Sequence, residues 1–134
     1  MKSVVDANIV IAALLRDSTT RKLITVGGLD LHAPAYLFDE VHAHSDELCE
    51  RAGLSAPGLT EALRILRTYV EEHPRGDYEG FLDRALQILR NTDPRDAPYV
   101  ALALAIGADG LWTEDRALGD LLGIRTYRTH ELVR

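Results

Sequence analysis

The stretch DPRDAPYVALALAIGADGLWTED, residues 93–115, constrains the fold more than any other part of this chain. It is a nearly continuous apolar run fenced by carboxylates, with Asp93 and Asp96 at one edge and Glu114 and Asp115 at the other. Asp93 suits an N-cap. Pro94 falls at the first helical position, where its missing N–H does no harm, and Asp96 falls at the third, where a carboxylate can close a capping box. Helix is expected as far as Ile106, ended by Gly107, and Gly110 to Thr113 then reads as a buried strand.

The rest of the chain continues this alternation. Lys2 to Val5 is a short β-type run, followed by an apolar helical stretch from about Ile9 to Leu15, a turn at Asp17-Ser18, and a second helical piece to about Val26. After Gly27-Gly28, Leu29 to Ala33 reads as a strand ended by Pro34. Tyr36 to Ala52 reads as one helix, with Leu37, Val41 and Leu48 roughly on one face and Gly53 as its stop. Leu59 to Val70 is amphipathic helix, Val70 to His73 a weak strand, and Phe81, Ala85, Ile88 and Leu89 mark a helix ending near Asn91. Arg116 to Leu122 reads as a short helix, Ile124 to Tyr127 as a last strand and Thr129 to Val133 as a terminal helix. Strands separated by helices predict an α/β domain with a parallel sheet, in which sites form at the carboxyl ends of the strands near the reversal of strand order.

That rule gives the acids a place. Asp6 directly follows the first strand and Asp115 follows the Gly110 to Thr113 strand. Asp96 lies in the first turn of the helix leading into that strand, and Glu40 lies early in the helix after the second strand. Each has an ordinary explanation alone: Asp6 as a turn or cap residue, Asp96 as a capping-box residue, Glu40 as a solvated helix carboxylate and Asp115 as the start of the next helix. Asp6 itself is expected to lie outside any helix's first turn. Jointly, carboxylates at one sheet end repel, and their pKa values rise unless a cation joins them. Oxygen-only donors suit Mg²⁺ or Mn²⁺, which keep waters and bind substrate phosphates. His42 and His44 are two apart on a helix, face different ways and do not make a zinc pair. No Gly-rich phosphate loop, Ser-His-Asp arrangement or HEXXH motif is present.

Length and composition bound the rest. A chain of 134 residues is expected to form one domain, which buries about two-thirds of its unfolded surface. Cys49 is the only cysteine, which excludes an internal disulfide or a C-x-x-C metal site and fits a reducing cytoplasm. Asp6 and Asn8 interrupt the apolar N-terminus, no signal cleavage site follows, and no stretch approaches the roughly 18 apolar residues of a membrane span. The net charge of −6 is not the footprint of a bulk nucleic-acid binder. Apart from Lys2 and Lys22 the basic residues are arginines, whose planar fork suits phosphate, so a polyanion would be met by local arginines or by metal ions.

VDANIVIAAL at the start, the glutamate of PAYLFDEV, the helix-borne aspartate of DPRDAPYVALALAIGADGLWTED and its closing Thr113-Glu114-Asp115 together resemble the PIN domain found in VapC-type toxins. The resemblance covers essentially the whole chain. It implies a single PIN-like, Rossmann-like nuclease domain over 1–134, with a central parallel sheet of about four to five strands flanked by helices. It implies an endoribonuclease dependent on Mg²⁺ or Mn²⁺, with Asp6, Glu40, Asp96 and Asp115 as the acidic site and Asn8 and Thr113 as supporting polar residues. Family members also imply a homodimer and a cognate antitoxin. Asp39, Asp46 and Glu47 lie close to Glu40, and the family position favours Glu40. Asp93 reads as a cap and Glu114 as rim, while Arg16, Arg95 and Arg116 near the strand ends are candidates for gripping RNA. The alternatives are an inactive PIN-like binding or assembly domain, and a response-regulator receiver domain. The latter needs a lysine after a late strand, and neither Lys2 nor Lys22 can supply it.

Overall fold

The computed structural model describes residues 1–15, 18–115, 118 and 124–133. Strand β1 (Lys2–Val5) leads into α1 (Ala7–Leu14) and α2 (Ser18–Val26), and β2 (Asp30–Pro34) into α3 (Tyr36–Ala43), α4 (Ser45–Ala52) and α5 (Ala56–Arg67). Then follow β3 (Val70–His73), two 3-10 turns at Arg75–Asp77 and Glu79–Phe81, α6 (Leu82–Ile88), a 3-10 turn at Pro94–Asp96, α7 (Ala97–Ile106), β4 (Gly110–Trp112), β5 (Thr126–Tyr127) and α8 (Thr129–Leu132). The five strands form one sheet in the order β3-β2-β1-β4-β5, and every pairing is parallel. The α/β expectation therefore holds, with five strands.

This order decides where a site can form. The chain steps from β1 to β2 on one side, and after β3 it returns to β4 on the other side of β1. Right-handed crossovers in opposite directions place their helices on opposite faces of the sheet, and a crevice opens between the carboxyl ends of β1 and β4. The walls of that crevice are rigid. Val4, Val5, Leu111 and Trp112 are fully buried, and α7, which packs on β1, β2 and β4, is buried along most of its length.

Local chemistry explains three departures from the sequence reading. The expected helix from Tyr36 to Ala52 is broken at His44 into α3 and α4, because Ser45-Asp46-Glu47 restarts a helix with acidic residues in its first turn. Helix α5 begins at Ala56 rather than Leu59, since the Ser55 hydroxyl accepts the Gly58 N–H at 3.1 Å and Pro57 sits in the first turn. The segment after Asp93 opens as a 3-10 turn before α7 proper. Gly107 ends α7 at φ +61°, a left-handed conformation that a side chain would strain. The predicted turn at Asp17-Ser18 and short helix from Arg116 to Leu122 involve residues outside those described. Among the described residues no helix is long and apolar enough to cross a membrane.

Candidate active site

Asp6 stands at the end of β1 and caps α1. Its side chain accepts the Ile9 N–H at 3.1 Å, and its own backbone N–H donates to the Trp112 carbonyl at 3.2 Å, tying the ends of β1 and β4 together. Asp6 thus realises its cap reading and stands just outside the first turn of α1, which starts at Ala7 rather than Ile9. Thr113 donates a second hydrogen bond to the Asp6 carboxylate, while its own Oγ1 accepts the Asp115 N–H at 3.0 Å. Thr113 is buried, so one hydroxyl sets both acids. Asn8 meets Asp6 through its backbone N–H, and its side chain is exposed.

Asp96 departs from its local sequence reading. The capping-box expectation is not realised, for although Asp96 occupies the N-cap of α7, its carboxylate makes no capping hydrogen bond. Asp93 performs the capping instead, accepting the Arg95 N–H at 2.9 Å, as read from the sequence. The Asp96 carboxylate is left to the site. Burial raises its pKa to about 6, and the charges of Asp93, Asp115, Asp6 and Glu40 push in the same direction. Asp6 is also raised to about 6, chiefly because it is 6% exposed, with Asp115 adding repulsion against the hydrogen bonds from Thr113 and Ile9. The four acids come from the ends of two strands and the starts of two helices, and the tertiary fold brings them into one field.

The neighbours Asp39 and Glu40 part company as the helical angle demands. Glu40 is half-buried and accepts a short hydrogen bond from the Tyr99 hydroxyl, whereas Asp39 is exposed and lines a separate depression with Ala35, Phe38, His42 and Arg67. Tyr99 is a site residue that sequence reasoning missed. It lies one helical turn after Asp96, a spacing that places both on the same face of the helix, and this was the available signal. Burial and the Glu40 carboxylate raise its phenol pKa, so it stays a donor.

The predicted RNA-gripping arginines fare differently. Arg95 is exposed and paired with Asp93, Nη2 to Oδ2 2.7 Å. Arg16 and Arg116 lie outside the described residues. Glu114 accepts the backbone N–H of Thr129 at the start of α8, consistent with a place outside the acidic cluster. Among the described residues no lysine or arginine ion-pairs with Asp6, Glu40 or Asp96. A set of oxygen donors in which two carboxyls have raised pKa values has the chemistry of a hard divalent-metal site.

Comparison with known proteins agrees with this geometry. The chain resembles PAE2754 from Pyrobaculum aerophilum in fold, with a TM-score of 0.68 over 98% of this chain and 86% of that one, at 19% identity. It is 36% identical over 118 residues to VapC ribonuclease Mb0985 of Mycobacterium bovis and to ribonuclease VapC9 of Mycobacterium tuberculosis, a match covering 87% of this chain and 88% of each relative. The PIN domain family model matches residues 4–133. On a match of that extent, joined to relatives 36% identical over 118 residues, the chain belongs to the PIN domain family.

Proposed function

We propose that residues 1–134 act as one PIN-like domain, a Mg²⁺- or Mn²⁺-dependent endoribonuclease that hydrolyses RNA phosphodiester bonds as the toxin of a type II toxin–antitoxin pair. One observation carries the reading: burial and the charges of Asp93, Asp115, Asp6 and Glu40 together raise the pKa of Asp96 to about 6, as carboxylates gathered beside the crevice between β1 and β4 would. The VapC ribonuclease relatives support the substrate class and the toxin role. A cytoplasmic location, a homodimeric state and a cognate antitoxin belong to the same proposal and rest on that kinship.

Asp6, Asp96, Asp115 and Glu40 would hold the cation. When bound, a divalent ion lowers the pKa of water and offsets charge on the phosphate and leaving oxygen. The protein's own contribution is placement. Thr113 and the α1 amide fix the Asp6 rotamer, Thr113 orients the Asp115 backbone, and Tyr99 holds Glu40. Arg95 exchanges its solvent-exposed Asp93 partner for an RNA phosphate, since an exposed pair is cheaply given up. Asn8 contributes at the edge of the site.

The test is cleavage of a single-stranded or loop RNA, expected to stop in EDTA and return with Mg²⁺ or Mn²⁺. Activity that persists in EDTA in fresh protein overturns the proposal. An inactive binding domain predicts RNA binding with no cleavage at any metal concentration. Two variants resolve the roles around Glu40. Glu40→Gln is expected to lower cleavage about tenfold or more, while Asp39→Asn stays within about twofold. A larger loss in Asp39→Asn contradicts the assignment. Tyr99→Phe leaves Glu40 without its donor and is expected to raise the Mg²⁺ concentration for half-maximal cleavage by about tenfold. An unchanged Mg²⁺ dependence in that variant removes Tyr99 from the site.

A further inference from the structure

A second cluster lies on β2 and the edge strand β3, built from residues the acidic site does not use. The register pairs His32 with Glu71 and Pro34 with His73, so His32, Glu71 and His73 project from one face of the sheet. His32 Nδ1 is 2.9 Å from His73 Nε2 and 3.3 Å from Glu71 Oε2, and one ligand atom from each residue falls within 4.8 Å of the others. The outer ring nitrogens face carboxylates as well. His73 Nδ1 is 2.9 Å from Asp77 Oδ2, and His32 Nε2 is 2.8 Å from Asp30 Oδ1.

Counting protons shows that something is missing from this chain of contacts. Asp30, His32, His73 and Asp77 make three successive contacts, each needing one proton, and two neutral imidazoles carry only two. The third contact is met either by one more proton, which makes one ring an imidazolium, or by a cation between the rings. His32 Nε2 is buried and forms no hydrogen bond although Asp30 Oδ1 lies 2.8 Å away, so this contact is close but poorly directed. A cation accepting the lone pairs of His32 Nδ1 and His73 Nε2 meets the count without an extra proton, because both outer nitrogens then carry hydrogens, His73 Nδ1 donating to Asp77 and His32 Nε2 facing Asp30. Carboxylates behind the ligating histidines are the usual support of a metal site.

We propose that His32, His73 and Glu71 bind a zinc-class transition-metal ion that clasps the edge strand β3 to β2. Two imidazoles and one carboxylate suit Zn²⁺ over Mg²⁺. Tetrahedral ligands stand roughly 3.3 Å apart, so the two nitrogens need to part by only a few tenths of an ångström. Glu71 is exposed and opens the site to solvent, whereas His32 is buried and anchors it. The proposal does not depend on the nuclease reading, since none of these residues belongs to the acidic cluster.

The experiment is a calorimetric and thermal-melt titration of Zn²⁺ alone into metal-free protein in millimolar Mg²⁺. One Zn²⁺ per chain and a raised Tm are expected, with binding weakened about 100-fold in His73→Gln, about tenfold in Glu71→Gln, and unchanged in Asp96→Asn. Long-range proton–nitrogen spectra are expected to show His32 Nδ1 and His73 Nε2 shifting together on Zn²⁺ addition. This readout uses wild-type protein and stands even if His73→Gln folds poorly. No Zn²⁺ binding, shifts confined to other histidines, or binding lost in Asp96→Asn and kept in Glu71→Gln overturns the proposal.

Discussion

Asp96→Asn is expected to lower RNA cleavage by at least about 100-fold while leaving the fold intact. The separation of the two effects follows from the hydrogen bonds. The Asp96 carboxylate makes no capping bond, so exchanging it for an amide removes charge from the site without unpairing any backbone group, and asparagine is itself a good N-cap residue. Asp6→Asn is expected to lose activity equally, because an asparagine oxygen still accepts the Ile9 N–H but no longer supplies the charge a divalent ion requires. Folding is checked by the fluorescence of Trp112, the only tryptophan and a fully buried one. Cleavage of RNA at the wild-type rate by either folded variant places the chemistry elsewhere.

Metal-free protein is expected to lose stability as pH rises from about 4 to about 6. The sign follows from proton binding. Folded Asp6 keeps its proton to about pH 6, whereas its ordinary value is 3.8, so the native state binds more protons within that window and stability falls as pH climbs through it. Once pH is well above 6 the loss is complete and amounts to about 3 kcal/mol from Asp6 alone, and Asp96 acts in the same direction. Asp6→Asn removes this titration. It still buries a polar group and weakens the bonds from Thr113 and Ile9, so at pH 7 in EDTA the variant is expected to gain about 0.5–2 kcal/mol rather than the full amount. Excess Mg²⁺ stabilises wild type more than the variant and narrows or reverses the gap. Melts of both proteins at pH 4.5 and 7.5, with EDTA and with Mg²⁺, decide the matter. A variant less stable than wild type in EDTA at pH 7.5, with equal Mg²⁺ shifts in both, removes Asp6 from a repelling cluster.

These two expectations draw on different levels of the molecule. That acids gather at the sheet end was legible from Asp6 after one strand, Asp115 after another, and the rule that parallel sheets bind at carboxyl ends. What each acid does besides was legible only in part. Asp6 proved to be a helix cap and Asp93 the cap of its turn, both among the sequence readings, whereas Asp96 proved a spare carboxylate rather than a capping-box residue, in a segment that winds as a 3-10 turn.

By itself the sequence determined the elements whose signals are local. The β-type runs at Lys2–Val5 and Val70–His73 are strands with the predicted ends, and Gly107 stops its helix where a left-handed residue is required. Such signals work over one turn or a few residues, the range of a cap or a side-chain period. Only the tertiary structure decided which strands are neighbours, that Tyr99 reaches Glu40 across 59 positions, and that His32 and His73, 41 positions apart, lie at 2.9 Å. His42 and His44, close in sequence, draw the eye first, yet it is strand register that brings distant histidines together. Spacing along the chain fixes geometry only within a single element, and between elements it is fixed by sheet order and register, which arise from packing the whole core at once.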